Sequence, residues 1–262
     1  MQDTGQYLAQ MRSTAPLVQN ITNYVAMNVM ANVMLAAGAS PAMVHAREEA
    51  AEFAGVAHAL SVNIGTLDPE WVVAMEEAAA VMNDAGKPWV LDPVAVFATG
   101  LRRDAGARLV GLKPTIVRGN ASEILALGGG DAAGQGADAG DSVASAEAAA
   151  RGLAAQTGGV VAVTGAVDYV TNGTRAYRVS NGHEMMPKIT ALGCSLTGIV
   201  AGFAARQDPF EATVAALAFY GLAGEVAATG AQGPGSLAVG FIDALYDMTP
   251  EALTAGARIT QA

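Results

Sequence analysis

The chain is short of charge, of aromatic residues and of cysteine. Charged residues make up 15% of its 262 residues and hydrophobic residues 52%, where a charged share of about 25% is usual. A disordered polyelectrolyte needs the opposite balance, so that class is excluded. Basic residues are scarcer still: Lys and Arg total 14 against 24 Asp and Glu, a formal net charge of −10. With no basic stripe for a phosphate backbone, general nucleic-acid binding is excluded. An anionic substrate would need locally placed donors acting against the overall field. Cys194, the single cysteine, permits no internal disulfide and fits a reducing cytoplasm. His45, His58 and His183 are scattered, and none stands at metal-ligand spacing from Cys194. No Gly-x-x-x-x-Gly-Lys-Ser/Thr motif is present, which excludes a P-loop kinase. Met1 to Arg12 holds Asp3 and no apolar run, so no secretory leader is read there.

One further absence needs a membrane check. Between Arg12 and Arg47 there is no Asp, Glu, Lys or Arg. Yet Asn20, Asn23, Asn28 and Asn32 fall within the stretch, and four amides would be costly in lipid. It reads as a buried helix of a soluble protein, with no membrane partner. Low charge and abundant Ala together suggest that other subunits cover part of the surface.

What is present is an alternation. The runs Pro16–Ile21, Ala59–Ile64, Trp89–Leu91, Thr115–Val117 and Val160–Val163 are mostly apolar, as strands buried on both faces are. Helical patterns lie between them, including Tyr24–Ala37, Pro69–Ala85 and Ser142–Gln156. This predicts an α/β fold, a parallel sheet with helices on both faces. Tyr169–Thr171 and Ala176–Val179 flank Asn172-Gly173, a hairpin signal, so an antiparallel edge follows. From Gly193 onward the chain is mostly helical, over Gly193–Arg206, Pro209–Ala228 and Leu237–Tyr246. No linker or repeat divides residues 1–262, so one domain is expected. Gly128–Asp141, rich in Gly and Asp, reads as a surface loop, with a lid as the alternative.

Ligands of open α/β sheets bind beyond the carboxyl ends of the strands. The residues that close the apolar runs are Gln19-Asn20-Ile21-Thr22-Asn23, Asn63-Ile64-Gly65-Thr66, Asp92-Pro93, Arg118-Gly119-Asn120 and Thr164-Gly165. One such cluster is ordinary turn chemistry; five together point to a site along one sheet edge. Asn120-Ala121-Ser122-Glu123 has the form of a capping box. Glu123 could equally order water on Mg²⁺, an ion that keeps several waters and few protein ligands. Asp92 could share that task or serve as a strand-end turn. Arg118 could hold phosphate or form a structural salt bridge.

Thr190 to Gly198 opens a long apolar helix with small residues, leaving backbone N–H groups bare where the helix dipole is positive. This suits the charge that develops on a transferring phosphoryl group. A cysteine at a helix N-terminus tends toward a lowered pKa and can accept a proton. The alternative for Cys194 is an inert buried thiol.

Taken together, these segments resemble the hydroxyethylthiazole kinase family, ribokinase-like enzymes of thiamine biosynthesis. The matching pieces are Gln19–Val25, Gly38–Met43, Asn63–Leu67, Leu91–Val94, Arg118–Ile124 and Gly193-Cys194. The resemblance implies a ribokinase-like three-layer α/β/α fold with a mainly parallel sheet and a helical C-terminal part. It implies phosphoryl transfer from ATP, with Mg²⁺, to the primary hydroxyl of 4-methyl-5-(2-hydroxyethyl)thiazole. It also implies a cytoplasmic homotrimer with active sites between neighbouring subunits. Carried over, Met43 would contact the thiazole, with Asn23 and Gly65 lining the pocket and Ala191 at the substrate loop. Arg118 and Thr164 would hold ATP phosphates, and Asp92 and Glu123 would organise Mg²⁺. Cys194 stands where sugar kinases of the superfamily carry a catalytic Asp, and would take the hydroxyl proton or orient that hydroxyl.

One residue departs from the family pattern. Thr190-Ala191-Leu192-Gly193-Cys194 has Ala where the family has Gly, which removes easy access to φ > 0 and adds a methyl. If the family glycine is left-handed, this loop must differ or the enzyme be slower; if it is not, the methyl is tolerated. Rival readings are a hydroxymethylpyrimidine-type or small-sugar kinase, a dehydratase that repairs hydrated nicotinamide cofactors, and a non-catalytic module that binds thiamine precursors.

Overall fold

The apolar runs become strands because helices cover them on both faces. The computed structural model describes residues 3–129 and 142–262. The chain opens with α1 (Thr4–Thr14), β1 (Leu17–Ile21), α2 (Met27–Ala37) and β2 (Ser40–Ala42). It continues through α3 (Arg47–Val56), β3 (Ala59–Asn63), α4 (Pro69–Asp84), β4 (Trp89–Asp92) and α5 (Gly100–Gly111). Next come β5 (Ile116–Asn120), α6 (Ala121–Leu127), α7 (Val143–Thr157), β6 (Val160–Thr164), β7 (Asp168–Thr171) and β8 (Ala176–Val179). The helices α8 (Leu192–Ala204), α9 (Pro209–Ala228), α10 (Pro234–Asp247) and α11 (Pro250–Gly256) follow, then β9 (Ile259–Gln261).

Nine strands form one sheet in the order β2-β1-β3-β4-β5-β6-β7-β8-β9. Pairing is parallel from β2 to β6 and antiparallel from β6 to β9. Side chains alternate between two cores. Val18, Ala59, Val90 and Ile116 face the core built with α1, α2, α8, α9 and α10. Ile21, Leu60, Leu91 and Val117 face the other, built with α3 to α7. The architecture is therefore three-layered, α/β/α, as expected.

The differences from the sequence reading have local causes. β5 runs on to Asn120 because Arg118, Gly119 and Asn120 pair with Ala162, Val163 and Thr164 of β6. α2 starts at Met27 because Tyr24–Ala26 form a turn, in which Ala26 N–H donates to Asn23 Oδ1 at 3.0 Å. The hairpin falls where the sequence put it: Thr171 pairs with Ala176 across a four-residue loop in which Asn172 Oδ1 accepts from Thr174 N and Arg175 N. β2 is three residues long and contains Pro41, which an edge strand tolerates. The charge-free stretch supplies β1, α2 and β2, and α2 buries Met30, Val33, Met34 and Ala37. Arg12 at its head donates to the carbonyls of Ala37, Leu245 and Met248, tying the ends of α2 and α10 to α1. α9 is long and apolar enough to cross a membrane, but 83% of its most apolar window is buried inside the fold. Residues 130–141 of the Gly-rich segment lie outside the described residues.

Candidate active site

The parallel strands end on one edge, and their last polar residues meet there. Asp92, the final residue of β4 and 1% exposed, gathers three donors on one oxygen. Its Oδ2 accepts from Asn63 Nδ2 at 2.8 Å, Thr197 Oγ1 at 2.8 Å and Arg118 Nη1 at 3.3 Å. Asn63 stands opposite Asp92 in the β3–β4 register, which explains the first contact. Arg118 reaches across from β5 and also donates to Gly193 O at 2.9 Å and to Thr164 Oγ1 at 2.8 Å. Its Nε is buried without a partner. One guanidinium thus links β4, β6 and the start of α8.

The network continues the other way. Asn63 Oδ1 accepts from Asn23 Nδ2 at 2.9 Å and from Gly65 N at 2.9 Å. Asn23 Nδ2 also donates to Cys194 Sγ at 3.2 Å. Gly65 is required at its position, since a Cβ there would lie 2.8 Å from the Asn23 side chain. The structure therefore joins Cys194, Asn23, Asn63, Asp92, Arg118 and Thr164 in one chain of hydrogen bonds. Met43 follows β2 at the neighbouring edge, half-buried and packed against the core that contains α8. No hydrogen bond ties it to the network. A cleft of about 480 Å³ between α9 and α10, lined by Val226, Gly240, Asp243 and Met248 among others, contains none of these residues.

Glu123 forms the capping box of α6 with Asn120, as its spacing suggested. Its two oxygens accept from Asn120 N at 2.8 Å and Ala95 N at 2.9 Å. Burial, with the nearby Asp92 charge, pushes its carboxyl up to about 7. Asp92 is also pushed upward by burial, against the pull of Arg118, Thr197 and Asn63.

One expectation about the head of α8 is corrected. The thiol of Cys194 was expected to sit low, as at other helix N-termini; instead burial, then the Asp92 charge, pushes it up to about 11. Ala191, whose conformation the sequence left open, is left-handed at φ +66, ψ −2 and stands as the N-cap of α8. A left-handed alanine costs roughly 1–2 kcal/mol. No side chain caps this helix, and among the described residues no protein acceptor takes the N–H of Leu192, Gly193 or Cys194. The first N–H groups of α8 are therefore left uncapped at the end that carries Cys194.

Other residues of the site gave no signal in the sequence. Arg102 donates to Ile64 O at 2.5 Å, to Val94 O at 2.9 Å and to Gly65 O, fixing the loops after β3 and β4. Thr197 reaches Asp92 from one turn beyond Cys194. Asp168 begins β7, 9% exposed, with Oδ1 accepting from Gly165 N at 2.9 Å. Burial pushes this carboxyl up to about 7 from its usual 3.8.

An acid raised in the fold keeps its proton in the native state while the unfolded chain has released it. Stability then falls as pH rises through that window. Between pH 5 and 8 Asp168 should remove about 2–3 kcal/mol. Asp168→Asn is expected to take that amount out of the wild-type slope, read by urea denaturation at both pH values. Equal slopes for the two proteins would mean the carboxylate is ionised in the fold throughout.

A mainly parallel open sheet, with an uncapped helix start and a buried Arg–Asp pair at its carboxyl edge, gives the chain a ribokinase-like fold. A crystallised pyridoxal kinase of Bacillus subtilis shares that fold at TM-score 0.62 and 17% identity, over 81% of this chain and 91% of its own. The chain belongs to the hydroxyethylthiazole kinase family, whose model matches residues 8–251. It is 64% identical to the hydroxyethylthiazole kinase of Cereibacter sphaeroides over the full length of both chains. It is similar to the solved hydroxyethylthiazole kinase protein of Pyrococcus horikoshii OT3, at TM-score 0.92 and 38% identity over all of both chains.

Proposed function

We propose that residues 1–262, acting as one kinase domain in the cytoplasm, transfer the γ-phosphoryl group of ATP to the primary hydroxyl of 4-methyl-5-(2-hydroxyethyl)thiazole. The product is the thiazole phosphate consumed in thiamine phosphate synthesis. The observation that carries this reading is the unbroken run of hydrogen bonds from Thr164 and Arg118 to Cys194, ending beside three unused N–H groups. Phosphoryl transfer is mainly positioning and charge neutralisation, and the edge offers both. Arg118 and Thr164 hold ATP phosphates; the unpartnered Arg118 Nε is a donor still to be used. Met43, Asn23, Gly65 and Ala191 form the acceptor subsite, with soft Met suited to a sulfur-containing ring. Cys194 orients the attacking hydroxyl in front of the α8 donors.

Asp92 and Glu123 fit Mg²⁺ held through water. No hydrogen bond of the described residues ends on Asp92 Oδ1, and no group of three or more His, Cys, Asp or Glu gathers among them to cage a metal directly. The surroundings ask for such a cation. The carboxyls of Asp92, Glu123 and Asp168 all act electrostatically on Arg118, and a triphosphate arriving there would draw on a cation to offset whichever of them are ionised. Bound there, Mg²⁺ neutralises phosphate charge. A homotrimer with shared sites is consistent with Tyr24, Val25 and Leu35, 64%, 58% and 61% exposed, beside Asn23 and on α2.

The test is a coupled ADP-release assay with Mg²⁺-ATP and hydroxyethylthiazole, hydroxymethylpyrimidine or no acceptor. Release that requires the thiazole alcohol is expected. Release with the pyrimidine alone would move the function to a sister kinase. ATP binding without release would make the chain a binding module.

A further inference from the structure

A second polar cluster lies behind the head of α8, wholly buried and untouched by the network at the strand ends. Tyr220 projects from the middle of α9, 3% exposed, its ring edge-on to Phe241 with centroids 4.8 Å apart. Its hydroxyl donates to Leu192 O at 2.8 Å. Ser195 Oγ lies 2.7 Å from that hydroxyl and 3.1 Å from the same carbonyl. With Tyr220 donating to Leu192 O, Ser195 can donate either to the phenol oxygen or to the carbonyl. Burial raises the phenol above its ordinary range, so it stays a donor at every working pH.

The cluster answers a mechanical problem. The first turn of α8 begins from a left-handed alanine and has no side-chain cap. Ordinary caps would staple it through its N–H groups. Those groups are the donors a transferring phosphoryl group requires, so stapling them would close the site. A turn can instead be gripped through its acceptors, and the Leu192 carbonyl is the acceptor at the centre of this one. The same turn is also tied by Ser195 N to Ala191 O at 2.8 Å and by Arg118 Nη1 to Gly193 O at 2.9 Å.

We infer that Tyr220, with Ser195, is a positioning residue for phosphoryl transfer. It holds the Ala191–Cys194 turn through the Leu192 carbonyl, keeping the backbone donors and the Cys194 sulfur in register while leaving the donors free. The inference rests on the kinase reading above.

Tyr220→Phe keeps the ring and removes one oxygen. It is expected to lower kcat about tenfold at 25 °C while KM for ATP changes less than about twofold, because the lost register matters most in the transition state. A Tyr that only fills the core would lower Tm and leave kcat unchanged, and that result overturns the inference. Glycine accepts φ +66 without penalty. Tyr220→Phe combined with Ala191→Gly is therefore expected to recover kcat to within about threefold of Ala191→Gly alone. A double variant no faster than Tyr220→Phe overturns the inference as well. Should Tyr220→Phe fail to fold, Ser195→Ala carries the same comparison. Absence of wild-type turnover on the thiazole alcohol would sink the kinase reading instead. Urea denaturation would then still read the coupling: non-additive effects of the two substitutions support the grip on the turn, and additive ones remove it.

Discussion

Replacing Arg118 with Met is expected to cost about 3–5 kcal/mol of stability, because it strands Asp92 as a buried carboxylate without its cation. Asp92 is 1% exposed and Arg118 8% exposed, so water cannot restore the lost partner. The same change removes donors to Gly193 O and Thr164 Oγ1, loosening α8 and β6 together. ATP affinity should fall in parallel, since the proposed phosphate subsite loses its buried guanidinium. Urea denaturation and calorimetric ATP titration read the two effects separately. The control is Arg118→Met with Asp92→Asn, which removes the stranded charge. It should recover a large part of the lost stability and none of the ATP affinity. An Arg118→Met protein with wild-type ATP affinity would take this residue out of the phosphate subsite. One with wild-type stability would mean that Asp92 is neutral in the fold.

The parts of the molecule that were legible from sequence are those written locally. The runs that became β1, β3, β4, β5 and β6 could be read because strands buried on both faces are apolar at every position. The site edge could be read because the residue after each such strand must turn and can afford to be polar. Asn63, Asp92 and Thr164 therefore stood out by place before their contacts were known. What escaped is whatever depends on partners distant in the chain. Arg102 holds carbonyls 37 and 38 residues away, and Tyr220 holds one 28 residues away. Neither spacing leaves a periodic trace. Tyr220 in the otherwise apolar middle of α9 was the available hint, since a buried Tyr seeks a partner for its oxygen. The error at the head of α8 has a local origin. Position at a helix N-terminus argued for an acidic thiol, but depth of burial and the neighbouring Asp92 reverse the sign.

That reversal shapes the outcome expected at Cys194. Cys194→Ala should lower kcat about 100-fold, within the range typical of a positioned acid–base group, while ATP binds as before. The ATP contacts assigned to Arg118 and Thr164 do not involve the sulfur, so binding and turnover separate. With the thiol pushed up to about 11, only about one molecule in a thousand carries a thiolate at pH 8. A proton-accepting thiolate would therefore raise the rate about tenfold for each pH unit between 7 and 9. An orienting thiol, held by Asn23 Nδ2 at 3.2 Å, gives no such rise. The loose transition state of phosphoryl transfer asks little of a base, so the flat profile is the expected one. Cys194→Ser distinguishes the roles again. A hydroxyl can accept the Asn23 hydrogen bond and orient the alcohol, so kcat should stay within about tenfold of wild type. Glu123 and Asp168 titrate in the same window, so the informative quantity is the ratio of wild-type to Cys194→Ser rates at each pH. A ratio constant from pH 7 to 9 fits a thiol that positions the hydroxyl. A ratio that climbs with pH would return to Cys194 the role of general base.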